Sequence, residues 1–319
     1  MKIKKITRKI IATVIFTIGF LIFIYPLASN TYNAFRDRKL SLTYNEIVDN
    51  LSDERRQQYL QAAYDYNKKL SQNTIQVISE KQHETDEEYE ALLNVSGASI
   101  MGTIDIPKLA VSLPIYHYSS ENSLNKGVGH IYGSSLPVGG ESTHSVLIGH
   151  RGLPSSRLFS DLPDLEKGDV FYIKVLGETL AYEVDRIKVV LPTEVEDVQI
   201  VNGEDYVTLV TCTPYGVNTH RILVRGHRIP YTGEETTAPI IKQIIKSIDA
   251  RTITGLGFLA FVIFVTVYKR KQKKDYLKSK AMKVEAEKII EIKSDDADIV
   301  NNTVDDTVDN TMKGDSHEE

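Results

Sequence analysis

The chain has one cysteine, Cys212, and its position at the end of a predicted strand is suited to a reactive thiol. Cys212 follows residues 206–211, whose β-branched and apolar character predicts a strand, and it precedes the turn residues 213–216. Residues 220–228 predict a second strand, so an antiparallel hairpin would pair Cys212 with Arg221 and direct both side chains to one face. A thiol beside a guanidinium is suited to nucleophilic attack on a carbonyl group.

This chemistry needs a third group that can move a proton. The thiolate is the nucleophile, and a free cysteine with a pKa of about 8.5 is mostly protonated at neutral pH. Arg221 keeps its proton and can only stabilise an oxyanion. His150 is the best candidate, because it lies at the end of the apolar run 145–149 and leads into a loop. A cysteine and a histidine that are distant in sequence and meet in the fold are typical of a thiol nucleophile.

Other interpretations of these residue types stay open from local pattern alone. A lone cysteine in a strand is often a buried apolar residue. His220 would point to the opposite face of its strand, which favours a structural role. Arg151, Arg225 and Arg228 are rivals for the oxyanion, although a solvated or ion-paired arginine is the simpler interpretation of Arg225.

Three sequence blocks resemble one family of enzymes. Residues 208–228 read T-L-V-T-C-T-P-Y-G-V-N-T-H-R-I-L-V-R-G-H-R, residues 127–140 read G-V-G-H-I-Y-G-S-S-L-P-V-G-G, and residues 144–154 read H-S-V-L-I-G-H-R-G-L-P. They resemble sortases, the cysteine transpeptidases of Gram-positive bacterial surfaces, and especially class C, the pilin-polymerising branch. The matching blocks lie within residues 104–228, under half of the chain.

The resemblance implies a set of roles and partners. Cys212 would be the nucleophile, His150 the general acid and base, and Arg221 the group that stabilises the oxyanion and the substrate. The substrate would be a surface or pilin protein with an LPxTG-like sorting signal, and the acceptor amine a pilin lysine or a peptidoglycan precursor. The alternatives are a sortase that anchors proteins to the cell wall, a hydrolytic cysteine peptidase, and a non-catalytic membrane-tethered β-domain that binds a surface partner.

One segment departs from the class C pattern. Pilin-type sortases usually carry an Asp-Pro-aromatic lid before the barrel, and no Asp-Pro dipeptide occurs in this chain. The corresponding place, residues 92–97, reads L-L-N-V-S-G, where Asn94 lacks the charge and Val95 lacks the aromatic ring. The sequence therefore predicts a loosely held lid or none.

The elements around these residues are mainly short β-segments separated by Gly and Pro. Seven or eight such strands predict a mainly β fold, a closed antiparallel barrel or a sandwich, and the resemblance implies a barrel of about eight strands in a catalytic domain at 101–235. The predicted strands are 104–106, 113–116, 145–148, 170–175, 179–191, 206–211 and 222–229.

Two apolar runs near the ends predict membrane anchors. Residues 10–30 are uncharged, follow a basic N-terminus and are long enough to span a bilayer, with a cleavable signal peptide as the alternative. Residues 252–268 follow a linker at 236–251 and precede a basic cluster. The positive-inside rule places both termini in the cytoplasm and the barrel outside the plasma membrane of a Gram-positive cell.

Helical and charged segments complete the chain. Residues 31–100 are predicted as a helical region that ends in the degenerate lid, with a cap at Ser52 and an apolar stripe that packs on the catalytic domain or on another helix. Residues 81–90 are predicted as a charged linker. Residues 269–319 form a basic and then acidic tail, predicted as disordered from 294 onward.

Composition limits the remaining possibilities. The net charge of −5 does not argue for a nucleic-acid partner, and a single cysteine allows no internal disulfide. The eight histidines include no H-x-x-H pair, so the sequence predicts neither a metal site nor a cofactor.

Overall fold

Eight β-strands close into a barrel in this computed structural model, which describes residues 2–72, 86–233 and 250–311. The order around the barrel is β1-β2-β3-β4-β7-β8-β6-β5, with parallel pairing for β2–β3 and β4–β7 and antiparallel pairing elsewhere. The prediction of a closed barrel of about eight strands is confirmed. The strands β1 to β8 are Ile100–Ile106, Val111–Tyr116, Val128–His130, Thr143–Ile148, Val170–Val175, Glu178–Val190, Asp205–Thr213 and His220–Ile229.

Two strands differ from the predicted set by more than two residues. β3 was not predicted, because its three residues, Val-Gly-His, are too few to show an alternating pattern. β1 begins at Ile100, earlier than the predicted 104, and all seven of its residues are buried. A strand buried on both faces has no polar alternation to mark its start.

Four helices accompany the barrel: α1 (Lys2–Asp49), α2 (Asp53–Ser71), α3 (Glu87–Ala91) and α4 (Glu121–Leu124). The predicted cap is confirmed, since the Ser52 hydroxyl accepts a hydrogen bond from the backbone N–H of Arg55 at 3.4 Å. The buried face of α2 consists of Leu60, Ala63 and Asn67, so it is less apolar than the predicted stripe. Asn67 lies on it because its side chain bonds both the N–H and the C=O of Leu136, in the loop before β4.

The predicted charged linker is wrong at residues 87–90, which form most of α3; residues 81–85 lie outside the described residues. Asp86 caps α3 by accepting a hydrogen bond from the N–H of Tyr89. Tyr89 is fully buried, and its hydroxyl lies 2.7 Å from Nδ1 of His130. One buried aromatic residue therefore fixes a segment whose composition is otherwise that of a linker.

The segment predicted as a degenerate lid lines the core. Leu92 and Leu93 are buried in the main hydrophobic cluster, and Val95 packs against it. Asn94 accepts a hydrogen bond from the N–H of Ser99, which closes a tight turn before β1. This part of the chain therefore packs against the main core ahead of β1, and the absence of a conventional lid stays a prediction.

Within the described residues, one helical stretch, Val14–Asp49, is long and apolar enough to cross a membrane. It belongs to α1, which continues without a break from the apolar run to the barrel. The N-terminal anchor therefore has a helix that fits it.

A fifth helix, α5 (Ala250–Thr311), lies in a second compact unit from Ile253 onward. Residues 252–268 are helical, and their role as a second span stays a prediction. The linker at 236–251 lies almost wholly outside the described residues. Disorder from residue 294 is wrong as far as Thr311, because α5 continues through the acidic region; extending a formed helix costs far less than starting one.

Two buried histidines make the stability of the barrel sensitive to acid. Burial lowers the pKa of His130 to about 4 and that of His144 to about 4, and both rings are hydrogen-bonded in the neutral form. The unfolded chain, with an ordinary histidine pKa of about 6.5, binds more protons between pH 6.5 and 4, so the free energy of unfolding falls as the pH drops through this window. We expect a loss of about 3 kcal/mol per histidine by pH 4, measured by chemical denaturation in detergent.

The variant His144→Gln tests this assignment because glutamine does not titrate. Its free energy of unfolding should fall less steeply with decreasing pH than that of the parent protein, by up to about 1.4 kcal/mol per pH unit. Equal slopes for the two proteins would contradict a titrating role for His144.

Candidate active site

The hairpin of β7 and β8 brings Cys212 and Arg221 together. The two residues are direct partners in the antiparallel register, with Thr213 opposite His220 next along the ladder. Directly paired residues direct their side chains to the same face, with Cβ atoms about 5 Å apart. Cys212 is half-buried, as is Arg221, so both are accessible from the mouth of the barrel.

His150 reaches the same mouth from the other side of β7. In the parallel pairing of β4 and β7, Ile148 lies opposite Val210, and the N–H of Gly149 donates to the Val210 carbonyl at 3.0 Å. The buried Thr211 hydroxyl donates to the Gly149 carbonyl at 2.7 Å. Continued by two residues, this register places His150 beside Cys212. Cys212 and Arg221 therefore lie on the neighbouring strands β7 and β8, and His150 follows the end of β4 by two residues.

Residues 150–161, here named the His150 loop, fold back on themselves. The N–H of Phe159 donates to the His150 carbonyl at 3.1 Å, and the N–H of Gly152 donates to the Ser160 hydroxyl at 3.2 Å. A Cβ atom on Gly149 would lie 2.7 Å from the Phe159 ring, which explains glycine at this position. The backbone next to the imidazole is thus held by its own loop.

Arg151 joins this loop to the cysteine strand. Its Nη1 donates to the Cys212 carbonyl at 3.4 Å and to the Thr213 hydroxyl at 3.1 Å, while Nε donates to the Ser160 carbonyl at 3.3 Å. Its guanidinium also lies 5.7 Å from the centre of the Tyr215 ring. Arg151 therefore stabilises the arrangement of the two strands, and sequence reasoning considered it only as a rival for the oxyanion. Its position next to His150 was the available signal.

The electrostatics favour a neutral imidazole at rest. Partial burial lowers the pKa of His150, and the negative charge of Glu121 on α4 acts in the opposite direction. An imidazole with a pKa below its ordinary value of about 6.5 is unprotonated at pH 7. His150 can therefore accept a proton before it has one to give.

The other arginines differ in their partners. Arg221 donates to the carbonyls of Asn218 and His220, both at 3.3 Å, which holds its guanidinium near the β7–β8 turn. Arg225 forms a two-pronged ion pair with Asp185, at 3.0 and 2.6 Å, and stacks on the Tyr206 ring at 4.0 Å. Arg228 lies 3.7 Å from Asp205, at the far end of β7. The ion-paired interpretation of Arg225 is confirmed.

The β7–β8 turn exposes apolar surface beside these groups. Tyr215 is 60% exposed and Val217 is 64% exposed, and both lie between Cys212 and Arg221 in the chain. Exposed apolar side chains at the edge of a polar site are suited to an extended peptide.

Known proteins resemble this chain in sequence and in fold. Residues 104–229 match the family profile of the sortase domain. The chain is 30% identical to Sortase A of Bacillus anthracis over 176 residues, which cover 51% of this chain and 82% of that protein. Sortase C1 of Streptococcus agalactiae is 47% identical, with a TM-score of 0.56 over 60% of this chain and 99% of that structure. Sortase C of Streptococcus pneumoniae is 40% identical, with a TM-score of 0.56 over 62% of this chain and 100% of that structure.

The eight-stranded barrel has the fold of sortases, a family of cysteine transpeptidases, and its sequence matches that family as well. The chain belongs to the sortase family. Within that family it belongs with the class C sortases, whose solved structures it resembles along almost their whole length.

Proposed function

We propose that this protein is a membrane-anchored transpeptidase that cleaves an LPxTG-like sorting signal and transfers the acyl group to a lysine side chain of a pilin subunit. The observation that supports this proposal is the strand order β4–β7–β8, in which Cys212 pairs with Arg221 and β4 ends two residues before His150. Acyl transfer needs a nucleophile, a proton carrier and an oxyanion donor, and each of these residues has the chemistry for one role.

The first half of the reaction forms a thioester. The Cys212 sulfur attacks the threonine carbonyl of the sorting signal, and the thiol proton passes to the neutral His150. Arg221 stabilises the negative charge on the carbonyl oxygen of the tetrahedral intermediate. The bond between threonine and glycine then breaks, and His150 gives its proton to the leaving amine.

The second half resolves the thioester. A lysine amine attacks the same carbonyl and loses a proton to His150, and Arg221 again stabilises the oxyanion. Cys212 departs and regains its proton from His150, which restores the resting state. The product is an isopeptide bond, and the cycle needs no cofactor.

The choice of a pilin lysine rests on the class C relatives. The Streptococcus pneumoniae enzyme has been described in terms of pilin substrate specificity, and the Streptococcus agalactiae sortase C1 comes from a pilus island. The alternatives are a cell-wall-anchoring sortase, in which a peptidoglycan cross-bridge amine takes the place of the lysine, and a non-catalytic β-domain.

The apolar helix supports a location at the plasma membrane. With the apolar N-terminal part of α1 as anchor, the barrel lies on the outer surface of a Gram-positive cell, and both termini are cytoplasmic if residues 252–268 also span. Confinement of the enzyme to the surface that holds the substrate raises the effective concentration of the substrate.

The identity of the accepting amine tests the function. The full chain in detergent is incubated with an LPxTG peptide and equal concentrations of two acceptors, a lysine peptide with a blocked α-amine and a cross-bridge peptide with a free α-amine. We expect mass spectrometry to find the acyl group on the lysine side chain. Transfer only to the cross-bridge peptide would favour wall anchoring, hydrolysis alone would favour a peptidase, and no cleavage would favour a binding domain.

Arg221→Lys tests the oxyanion role. Lysine keeps the charge and loses the planar fork of donors, so we expect kcat/KM for peptide cleavage to fall about 100-fold. The matched control is Arg225→Lys on the same strand, which weakens the ion pair with Asp185 and should affect thermal stability more than the rate. Equal rate losses in both variants would contradict a specific role for Arg221.

A further inference from the structure

We infer that the anchor helix α1 positions the His150 loop, so that the anchor takes part in holding the catalytic geometry; this inference rests on the proposed function. Two side chains one turn apart on α1 bond a single carbonyl in the middle of the loop. The Ser29 hydroxyl donates to the Ser155 carbonyl at 3.1 Å, and the Asn33 amide donates to it at 2.6 Å. Both acceptor sites of that carbonyl are thereby used.

The part of α1 that follows these contacts is fixed to the barrel. The buried Tyr44 donates its hydroxyl to the Met101 carbonyl at 2.8 Å and accepts from the N–H of Leu176 at 3.2 Å. Val48, one turn further, is also buried in the main core. Since α1 is one continuous helix, Ser29 and Asn33 are presented from a support that the barrel holds in place.

The loop can transmit this support to the imidazole. Ser155 lies between His150 and Phe159, whose N–H donates to the His150 carbonyl at 3.1 Å. Arg157 and Asp161 form a two-pronged ion pair that closes the end of the loop, with Nη2 to Oδ1 at 2.7 Å and Nε to Oδ2 at 3.2 Å. A short loop closed at both ends moves as a unit, so holding Ser155 restricts the backbone of His150.

The seam between helix and loop has both polar and apolar lining and is incompletely filled. A cavity of about 60 Å³ lies there, lined by Asn30 and Asp37 from α1 and by Ser156 and Asp161 from the loop. The buried Oδ1 of Asn30 has no hydrogen-bond partner among the described residues. This space is large enough for water. The contact therefore depends on individual hydrogen bonds, which single substitutions can remove without loss of apolar core.

The contact lies where the anchor would leave the bilayer. The apolar stretch ends at Ala28, immediately before Ser29, and the first charged residue after it is Arg36. The residues that hold the loop are thus the first polar turns of α1 after its apolar stretch. A protein cut before residue 34 keeps Tyr44 and Val48 and loses both donors to Ser155.

The test uses the full chain in detergent and the variant Asn33→Asp, which replaces the donating amide with a carboxylate of similar size. Losing a hydrogen bond of ordinary strength changes a local opening equilibrium by roughly 2- to 12-fold. We expect hydrogen exchange of the Phe159 amide to accelerate by about 10-fold. We expect kcat for the LPxTG peptide to fall several-fold with KM unchanged, because the substrate still binds and only the proton carrier is misplaced.

Two further variants separate positioning from general damage. Asn33→Gln keeps an amide donor, so hydrogen exchange at Phe159 should be slower than in Asn33→Asp. Asn50→Asp is the matched control, because the exposed Asn50 amide, just after the end of α1, donates to the Glu46 carbonyl and is remote in sequence from the seam; it should leave both readouts unchanged.

Unchanged exchange at Phe159 in Asn33→Asp, with the fold intact by thermal melting, would overturn the inference. Hydrogen exchange does not depend on turnover, so this result stands apart from the proposed function. If the parent protein is inactive while Asn33→Asp accelerates hydrogen exchange at Phe159, the proposed function is wrong. The positioning contact would still stand.

Discussion

Cys212→Ala should abolish thioester formation and lower turnover of an LPxTG peptide by on the order of 10⁴-fold or more, because no other group in the proposed site can form the covalent intermediate. Cys212 is half-buried at the strand end, so loss of its sulfur leaves little cavity and the barrel should stay folded. Intact-protein mass spectrometry would show the acyl adduct on the parent enzyme and none on the variant.

Thr213→Ala serves as the control at the neighbouring position. It removes the hydroxyl that accepts from Arg151 and leaves the sulfur in place, so the adduct should still form. Cleavage by Cys212→Ala at the parent rate would eliminate the nucleophilic mechanism, and with it the proposed enzyme.

His150→Gln should lower kcat/KM by about 1000-fold, because the variant has no group to take the thiol proton or to protonate the leaving amine. His220→Gln is the matched control: His220 is the neighbour of Arg221, its ring bonds the Thr219 hydroxyl, and we expect little change in rate. Similar losses in the two variants would contradict the assignment of the proton carrier to His150.

The pH profile gives an independent check on the same group. Because partial burial lowers the pKa of His150, its neutral form persists below pH 6.5, and the acid limb of kcat/KM should lie below that value. Glu121→Gln removes the charge that opposes this lowering and should move the limb to still lower pH. An acid limb above pH 7 that does not move in Glu121→Gln would indicate that another group controls the rate.

The pairing of Cys212 with Arg221 was predictable from local sequence. Cys212 and Arg221 are separated by one turn, so a hairpin could join them in only a few registers, and the predicted pairing is the one found. His150 could be placed at a strand end, but its approach to Cys212 depends on the parallel pairing of β4 with β7. Periodicity does not reveal which distant strands are neighbours.

The missed features share a dependence on single buried contacts. The predicted linker contains the short helix α3, which the buried contact of Tyr89 with His130 fixes. Asn67 lies on a buried face because its side chain forms hydrogen bonds with the backbone of Leu136. The contact of Ser29 and Asn33 with Ser155 spans more than 120 residues of sequence. Such contacts carry no local signature, since a polar side chain in a helix is usually solvated.

The two pairings of β7 differ in how soon a growing chain can make them. Its hairpin with β8 closes a loop of a few residues, whereas its pairing with β4 must bring together segments about 60 residues apart, with β5 and β6 between them. Closing a short loop takes microseconds or less and long-range pairing is slower. On the proposed assignment, a chain still emerging through the membrane would carry its sulfur beside the guanidinium but without the imidazole. The imidazole would join the sulfur only after this long-range pairing forms, so the proposed site would be complete later than the hairpin that carries its nucleophile.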